Sequence, residues 1–160
     1  MDLESRITEQ HHQSLRLWLR LLACTVMIED QVRSKLRQEF ATTLPRFDLM
    51  AQLERHPEGL RMGELSRRMM VTGGNITSIT DQLEQEELVQ RVADSKDRRA
   101  YTVRLTAAGR RAFKRMAAVH EEWIVDLMAP LDAAQKQSMF DALGLIKQAM
   151  QDSESHENEE

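Results

Sequence analysis

Two clusters of side chains stand out for the chemistry they could do. Asn75, Thr77 and Ser78 are short polar groups within four residues, able to exchange hydrogen bonds with base edges and with phosphates. Lys96, Arg98 and Arg99, with Arg67 and Arg68 upstream, are cations suited to phosphate oxygens. Neither cluster is a catalytic constellation. The chain carries no nucleophile elbow, P-loop or dinucleotide fingerprint. His11 and His12 are adjacent rather than a helical turn apart, and His56 and His156 have no evident partner in the sequence, so no metal set is spelled out. No enzyme, metal or cofactor reading follows. What is left is hydrogen bonding combined with cationic contact to a polyanion.

These groups need a scaffold. Met62, Leu65 and Met69 recur at spacings of three and four and predict a short helix, with Arg67 off its apolar face. Val71-Thr72-Gly73-Gly74 breaks that pattern, the glycines permitting a sharp turn and, at Gly74, close backbone approach. A second helix follows, with Ile76, Ile79, Leu83 and Leu88 inward and Asn75, Thr77, Ser78 and Asp81 pointing elsewhere. Its start favours anions, although Thr72 and Asn75 also read as capping residues. After Leu88, alternation at Val89, Arg91, Tyr101, Val103 and Leu105 predicts the two arms of a hairpin around a basic loop. From Val89 to Arg111, seven Lys or Arg face two Asp in a chain whose net charge is −4. Helix, turn, helix and cationic hairpin make a winged helix-turn-helix, one helix suited to the major groove and the hairpin tip to the minor groove.

The flanks are helical. Residues 7–40 lack Gly and Pro and carry two apolar stripes, Leu15, Trp18, Leu22 and Val26, and Leu17, Leu21, Cys24 and Ile28. A helix apolar on two sides must be covered on two sides, and a second subunit is the natural cover. Thr106 caps a helix bearing Phe113, Met116, His120, Trp123, Ile124 and Leu127, which Pro130 ends. Asp132-Ala-Ala-Gln135 resembles a capping box opening another helix with Met139, Leu143, Ile146 and Met150. The competing reading has both ends completing the chain's own core.

The fold class expected is therefore mainly α with a small β-hairpin wing, a winged helix-turn-helix flanked by N- and C-terminal dimerisation helices. With 160 residues, one domain over 1–150 is expected, with dimerisation helices at 7–40 and 107–150 and the winged helix-turn-helix at 44–106. Residues 151–160 read as a disordered acidic tail. The last nine residues hold five acids and no base, and without them the −4 becomes +1. Cys24, the sole cysteine, excludes an internal disulfide. Together with the lack of a signal-like start it suggests the cytoplasm. Arg16 and Arg20 interrupt the densest apolar stretch, so no membrane span is expected.

The run Asp97-Arg98-Arg99-Ala100, leading to Val103-Arg104-Leu105-Thr106 and Gly109-Arg110, resembles the wing signature of the MarR family of bacterial transcription regulators. Leu65-Ser66, Gly74-Asn75-Ile76-Thr77 and Asp81-Gln82-Leu83-Glu84 resemble that family's recognition segment. The likeness extends over nearly the whole chain short of the acidic tail. It implies a homodimer on a pseudo-palindromic double-stranded DNA site with half-sites about one helical turn (~34–36 Å) apart. It also implies an ion pair between Asp97 and Arg99, with Arg99 entering the minor groove and Arg98 at or near the tip. Ser78 and Gly73 depart from residues frequent in relatives, which bears on the target sequence rather than on the mode of binding.

The same likeness implies a small-molecule effector that releases DNA, an anionic aromatic compound or an acyl-CoA-type thioester. Arg16, Trp18, Arg20, Arg46, Phe47, Met50, His120 and Trp123 are the cations and aromatic walls available for it, though each also suits a core or a solvated face. Some relatives switch through a cysteine in the first helix, but Cys24 sits in an apolar setting that favours the inert thiol. Two alternatives stay open beside the ligand-responsive regulator: a helical interaction module docking a protein through its winged helix, and a redox-sensing regulator acting through Cys24.

Overall fold

Alternation and helical periodicity translate into the elements they predict. The computed structural model describes residues 9–69, 73–97 and 99–157. In chain order the elements are α1 (Glu9–Phe40), α2 (Leu44–Glu54), β1 (Leu60–Arg61), α3 (Met62–Met69), α4 (Gly73–Gln85), β2 (Val89–Ala93), β3 (Tyr101–Leu105), α5 (Ala107–Met128) and α6 (Ala133–Glu157). The hairpin pairs antiparallel from Val89 opposite Leu105 to Ala93 opposite Tyr101. A strand absent from the sequence reading, β1, extends the sheet to the order β1-β3-β2, with Leu60 opposite Val103 and Arg61 opposite Thr102. Two residues are too few to show a period, which is why alternation could not reveal it.

The chain forms two compact units, residues 1–121 and 122–160, where one domain followed by a tail was expected. The core of the first unit gathers Leu36 from α1, Leu49, Met50 and Leu53 from α2, and Leu65 from α3. Ile76 and Leu83 from α4 join them, with Val89 and Val103 from the sheet. Thr43 caps α2, its hydroxyl accepting the Arg46 main-chain N–H at 3.3 Å. Thr80 is fully buried between Ile76 and Leu83 on the inner face of α4. It is tolerated because its hydroxyl donates to the Ile76 carbonyl at 2.7 Å.

Three local expectations change. Gly73 and Gly74 lie inside α4, in its opening turn, rather than in the turn before it. Leu88 falls outside that helix, half-buried in the connection to β2. There the chain closes a Schellman motif: Leu88 N–H donates to the Leu83 carbonyl at 2.9 Å and Glu87 N–H to the Glu84 carbonyl at 3.0 Å. Glu87 occupies the left-handed position at φ 59°. Leu88 in turn accepts the Thr106 N–H at 3.0 Å, and a Cβ at Gly109 would fall onto the Leu88 carbonyl oxygen. Only glycine lets α5 start this close to the end of α4.

In the second unit the capping box forms in both directions. Asp132 N–H donates to Gln135 Oε1 at 3.0 Å, and Gln135 N–H to Asp132 Oδ1 at 2.8 Å. The helix it opens runs on through Glu157, into the stretch 151–160 read from the sequence as a disordered tail. Ser153 and Ser155 donate back to the carbonyls four residues earlier, and Gln148 reaches Asp152 at 2.8 Å. These bonds offset the low helix propensity of the serines and aspartate.

Helix α1 is apolar well beyond what the chain itself covers. Among its described side chains only Val32 and Leu36 are buried, whereas Leu15, Leu17, Trp18, Leu22, Val26 and Met27 are exposed. Cys24, expected in an apolar and inert setting, is exposed as well. In α6, Met139, Phe140, Leu143, Ile146 and Met150 are exposed. Among the described residues no helix is long and apolar enough to cross a membrane.

Candidate nucleic-acid interface

Burial of Ile76, Thr80 and Leu83 fixes the rotation of α4, and that rotation decides what faces outward. Asn75, Thr77, Ser78 and Asp81 are exposed, as the sequence suggested. On α3, Arg67 and Arg68 are exposed beside the buried Leu65. Gly74 contributes its backbone to the first turn of α4. Thr72 and Arg98, both expected to contact DNA, lie outside the described residues.

The wing is held by a ladder of charged contacts that sequence reasoning missed. Arg91 on β2 reaches back to α4, with Nη2 2.6 Å from Asp81 Oδ1 and Nη1 2.8 Å from Glu84 Oε1. Its main-chain N–H also donates to Glu84 at 3.1 Å. Its guanidinium lies over the Tyr101 ring, 5.6 Å from the centroid. At the base of the loop, Arg61 of β1 pairs with Asp94 at 2.6 Å. The Lys96 main-chain N–H, and then Arg61, hold the Asp94 carboxyl below the usual carboxylate range. Asp97 meets Arg99 through the latter's main-chain N–H, at 3.0 Å. Among the described residues their contact is a turn-forming hydrogen bond, and Arg61 with Asp94 makes a guanidinium–carboxylate pair at the base of the wing loop. Lys96 and Arg99 are exposed. The Arg91 and Arg61 pairs cross 10 and 33 residues of sequence, so no local spacing announces them.

Beside α4 the ends of three helices enclose a hollow of about 430 Å³, lined by Asn75, Ser78 and Gln82 of α4, by Arg33 and Arg37 of α1, and by the start of α2 at Thr43–Pro45. The two arginines were passed over because, on that helix, only Arg16 and Arg20 were read as available cations.

The residues expected to line an effector pocket divide into separate places. Arg16 and Arg20 line an open groove on α1 itself, and Trp18 is exposed. Arg46 and Met50 line a second hollow, of about 160 Å³, with Phe40, Glu86, Arg115 and Met116. There Arg46 pairs with Glu86, and its Nε is buried with no hydrogen-bond partner among the described residues. Phe47 stacks at a tilt on His120, centroids 4.9 Å apart, and on Phe113 at 5.4 Å. Burial pushes the His120 imidazole below its usual pKa. Trp123 is buried but belongs to the second unit.

Residues 42–101, from the start of α2 to the first residue of β3, match the model of the MarR family. That segment is similar to the MarR family. One relative, the transcriptional activatory protein BadR of Rhodopseudomonas palustris, is 30% identical over 104 residues, 64% of this chain. The chain spans 59% of BadR's length. The MarR family transcriptional regulator of Silicibacter pomeroyi superposes with a TM-score of 0.76 at 29% identity, covering 90% of this chain and 99% of that one. Sco3205 of Streptomyces coelicolor, a MarR family regulator solved in complex with DNA, gives a TM-score of 0.76 at 20% identity over 91% of this chain and 90% of its own. At that identity it shows the shared fold alone. Within the MarR fold, the matched segment is the one that carries α4 and most of the wing.

Proposed function

We propose that this chain is a homodimeric, sequence-specific DNA-binding transcription regulator, most simply a repressor that a small molecule releases from its site. The observation that carries the reading is the joint presentation of two kinds of surface. The outer face of α4 is polar and small over Asn75, Thr77 and Ser78, and the hairpin tied to it by Arg91 carries the exposed Lys96 and Arg99, with Arg98 between them in sequence. Asn75, Thr77 and Ser78 address base edges in the major groove. Arg67, Arg68 and Lys96 address phosphates, and Arg98 and Arg99 address the minor groove and its rims. Gly74 keeps the helix start open to the sugar–phosphate backbone, and Thr72 stands just before it. Sco3205, which shares the fold, was solved in complex with DNA.

Exposed apolar faces on α1 and α6 support self-association, the second copy covering what one chain leaves bare. Two α4 helices about a two-fold axis then read a pseudo-palindromic site. The effector, an aromatic carboxylate or an acyl-CoA-type thioester, is assigned to the surroundings of Arg46. There a buried guanidinium donor has no partner among the described residues, and Met50 and Met116 supply apolar wall. Whether the regulator represses or, as BadR is named for, activates depends on where its site lies relative to the promoter.

The test is fluorescence anisotropy with the duplex upstream of the chain's own coding region. The wild type should bind that duplex and prefer it to a scrambled one. Asn75→Ala should change base preference, and Arg98→Ala with Arg99→Ala should remove tight binding to either. A wild-type protein indifferent to duplex DNA would leave protein docking as the use of the winged helix.

A further inference from the structure

We infer that the hollow between the end of α1, the start of α2 and α4 seats a phosphate of the DNA backbone, with Arg33 and Arg37 as its cationic ligands. The inference rests on the DNA-binding reading above and adds a grip that neither the wing nor the base-reading residues provide. Arg33 and Arg37 are four apart on α1, so both project from one side of the helix. They line the same hollow of about 430 Å³ as Asn75, Ser78 and Gln82. Those three α4 positions, at i, i+3 and i+7, share one face, and it includes the side chains proposed to enter the major groove. A helix lying in that groove has a sugar–phosphate strand along its flank. The hollow is the concave surface on one flank of α4.

Its polar lining suits an oxyanion, beside apolar walls from Leu44, Pro45 and Ile79. No carboxylate lines it among the described residues, and its other polar groups are amides and hydroxyls. Arg33 pairs with Asp30 at 2.9 Å, but both side chains are substantially exposed. Such a pair contributes little and yields readily to a phosphate. Arg37 lies in the last turn of α1 and is exposed. The start of α2 adds a small positive field on the same side.

The experiment is a salt titration of binding to the upstream duplex and to a scrambled duplex. It uses the full-length protein, its Arg33→Ala/Arg37→Ala variant, and a Lys136→Ala charge control on α6. Both arginines are solvent-exposed, and matching thermal melts establish that the variant is folded. The double variant should lose affinity for both duplexes by a similar factor, roughly tenfold or more, with base preference unchanged. The slope of log K against log salt should become shallower by about 0.9 for each phosphate that the variant no longer neutralises. Lysine at both positions should restore most of the slope, and Lys136→Ala should leave it as in the wild type. A wild-type slope and affinity in the double alanine variant would overturn the inference, as would a weakening confined to the upstream duplex. If the wild type binds no duplex, the DNA-binding reading itself falls. If it binds while the double variant is unaffected, only the phosphate seat falls.

Discussion

Glu87 shows how much a single backbone angle can cost. It holds the left-handed position after α4 at φ 59°, where a Cβ is unfavourable by about 1 kcal/mol or more. Glycine there would remove that strain but give the unfolded chain more freedom. Glu87→Gly should therefore raise stability by a net of roughly 0.5 kcal/mol in urea melts, and a drop in stability would mean that the glutamate side chain holds something in place. His120 makes a different prediction. Its folded pKa lies below the ordinary value because burial against Phe47 disfavours the charged ring. On acidification the unfolded chain takes up the proton first. Stability is therefore intact above about pH 6.5 and declines as pH falls from there toward the lowered folded value. His120→Phe should flatten that acidic limb in melts between pH 8 and pH 5.5. A limb of the same steepness in the variant would assign it to another group.

Among the elements, the wing depends on α4 for its pose. Arg91 joins them through Asp81 and Glu84, with Tyr101 beneath its guanidinium. The pairs are partly exposed, so Arg91→Ala should cost only about 1 kcal/mol of stability. On the reading proposed above, loosening the hairpin should weaken binding to every duplex about tenfold, equivalent to 1.4 kcal/mol. Anisotropy on specific and scrambled DNA would check this, and full affinity in the variant would show a wing that needs no brace. The contrast between what was and was not legible lies at this scale. The helices, the two hairpin arms and the Asp132–Gln135 capping box follow from periods of 3.6 and 2 and from local side-chain chemistry. The outward residues of α4 follow from the same inward set. The strand β1, the buried Thr80 and the arginine pairs to Asp94 and Asp81 do not, because each depends on a neighbour brought close only by folding. The helical run through Glu157 was missed for another reason. Its acidic composition argued for solvation, while serine back-bonding and the continuing α6 ladder sustain the helix.

For the whole molecule, the decisive quantity is the apolar surface that one chain leaves uncovered on α1 and α6. In the proposed dimer, replacing Leu143 and Ile146 by glutamate should place charges in the subunit interface and yield monomers by light scattering. Binding to a duplex with two half-sites should then fall by about 100-fold or more as the second site loses its tether, while a single half-site should be bound much as before. A variant that remains dimeric would locate the interface elsewhere.

One junction ties these scales together. At Leu88 a single carbonyl receives the end of the wing's return strand, while the glycine of α5 presses against it and the final turn of α4 closes immediately before it. Such a joint has no slack. A twist delivered to the first turns of α5 must arrive at α4 almost undiminished, like torque through a keyed shaft. On the reading proposed above, the DNA-contacting helix would turn together with the start of α5 as one body.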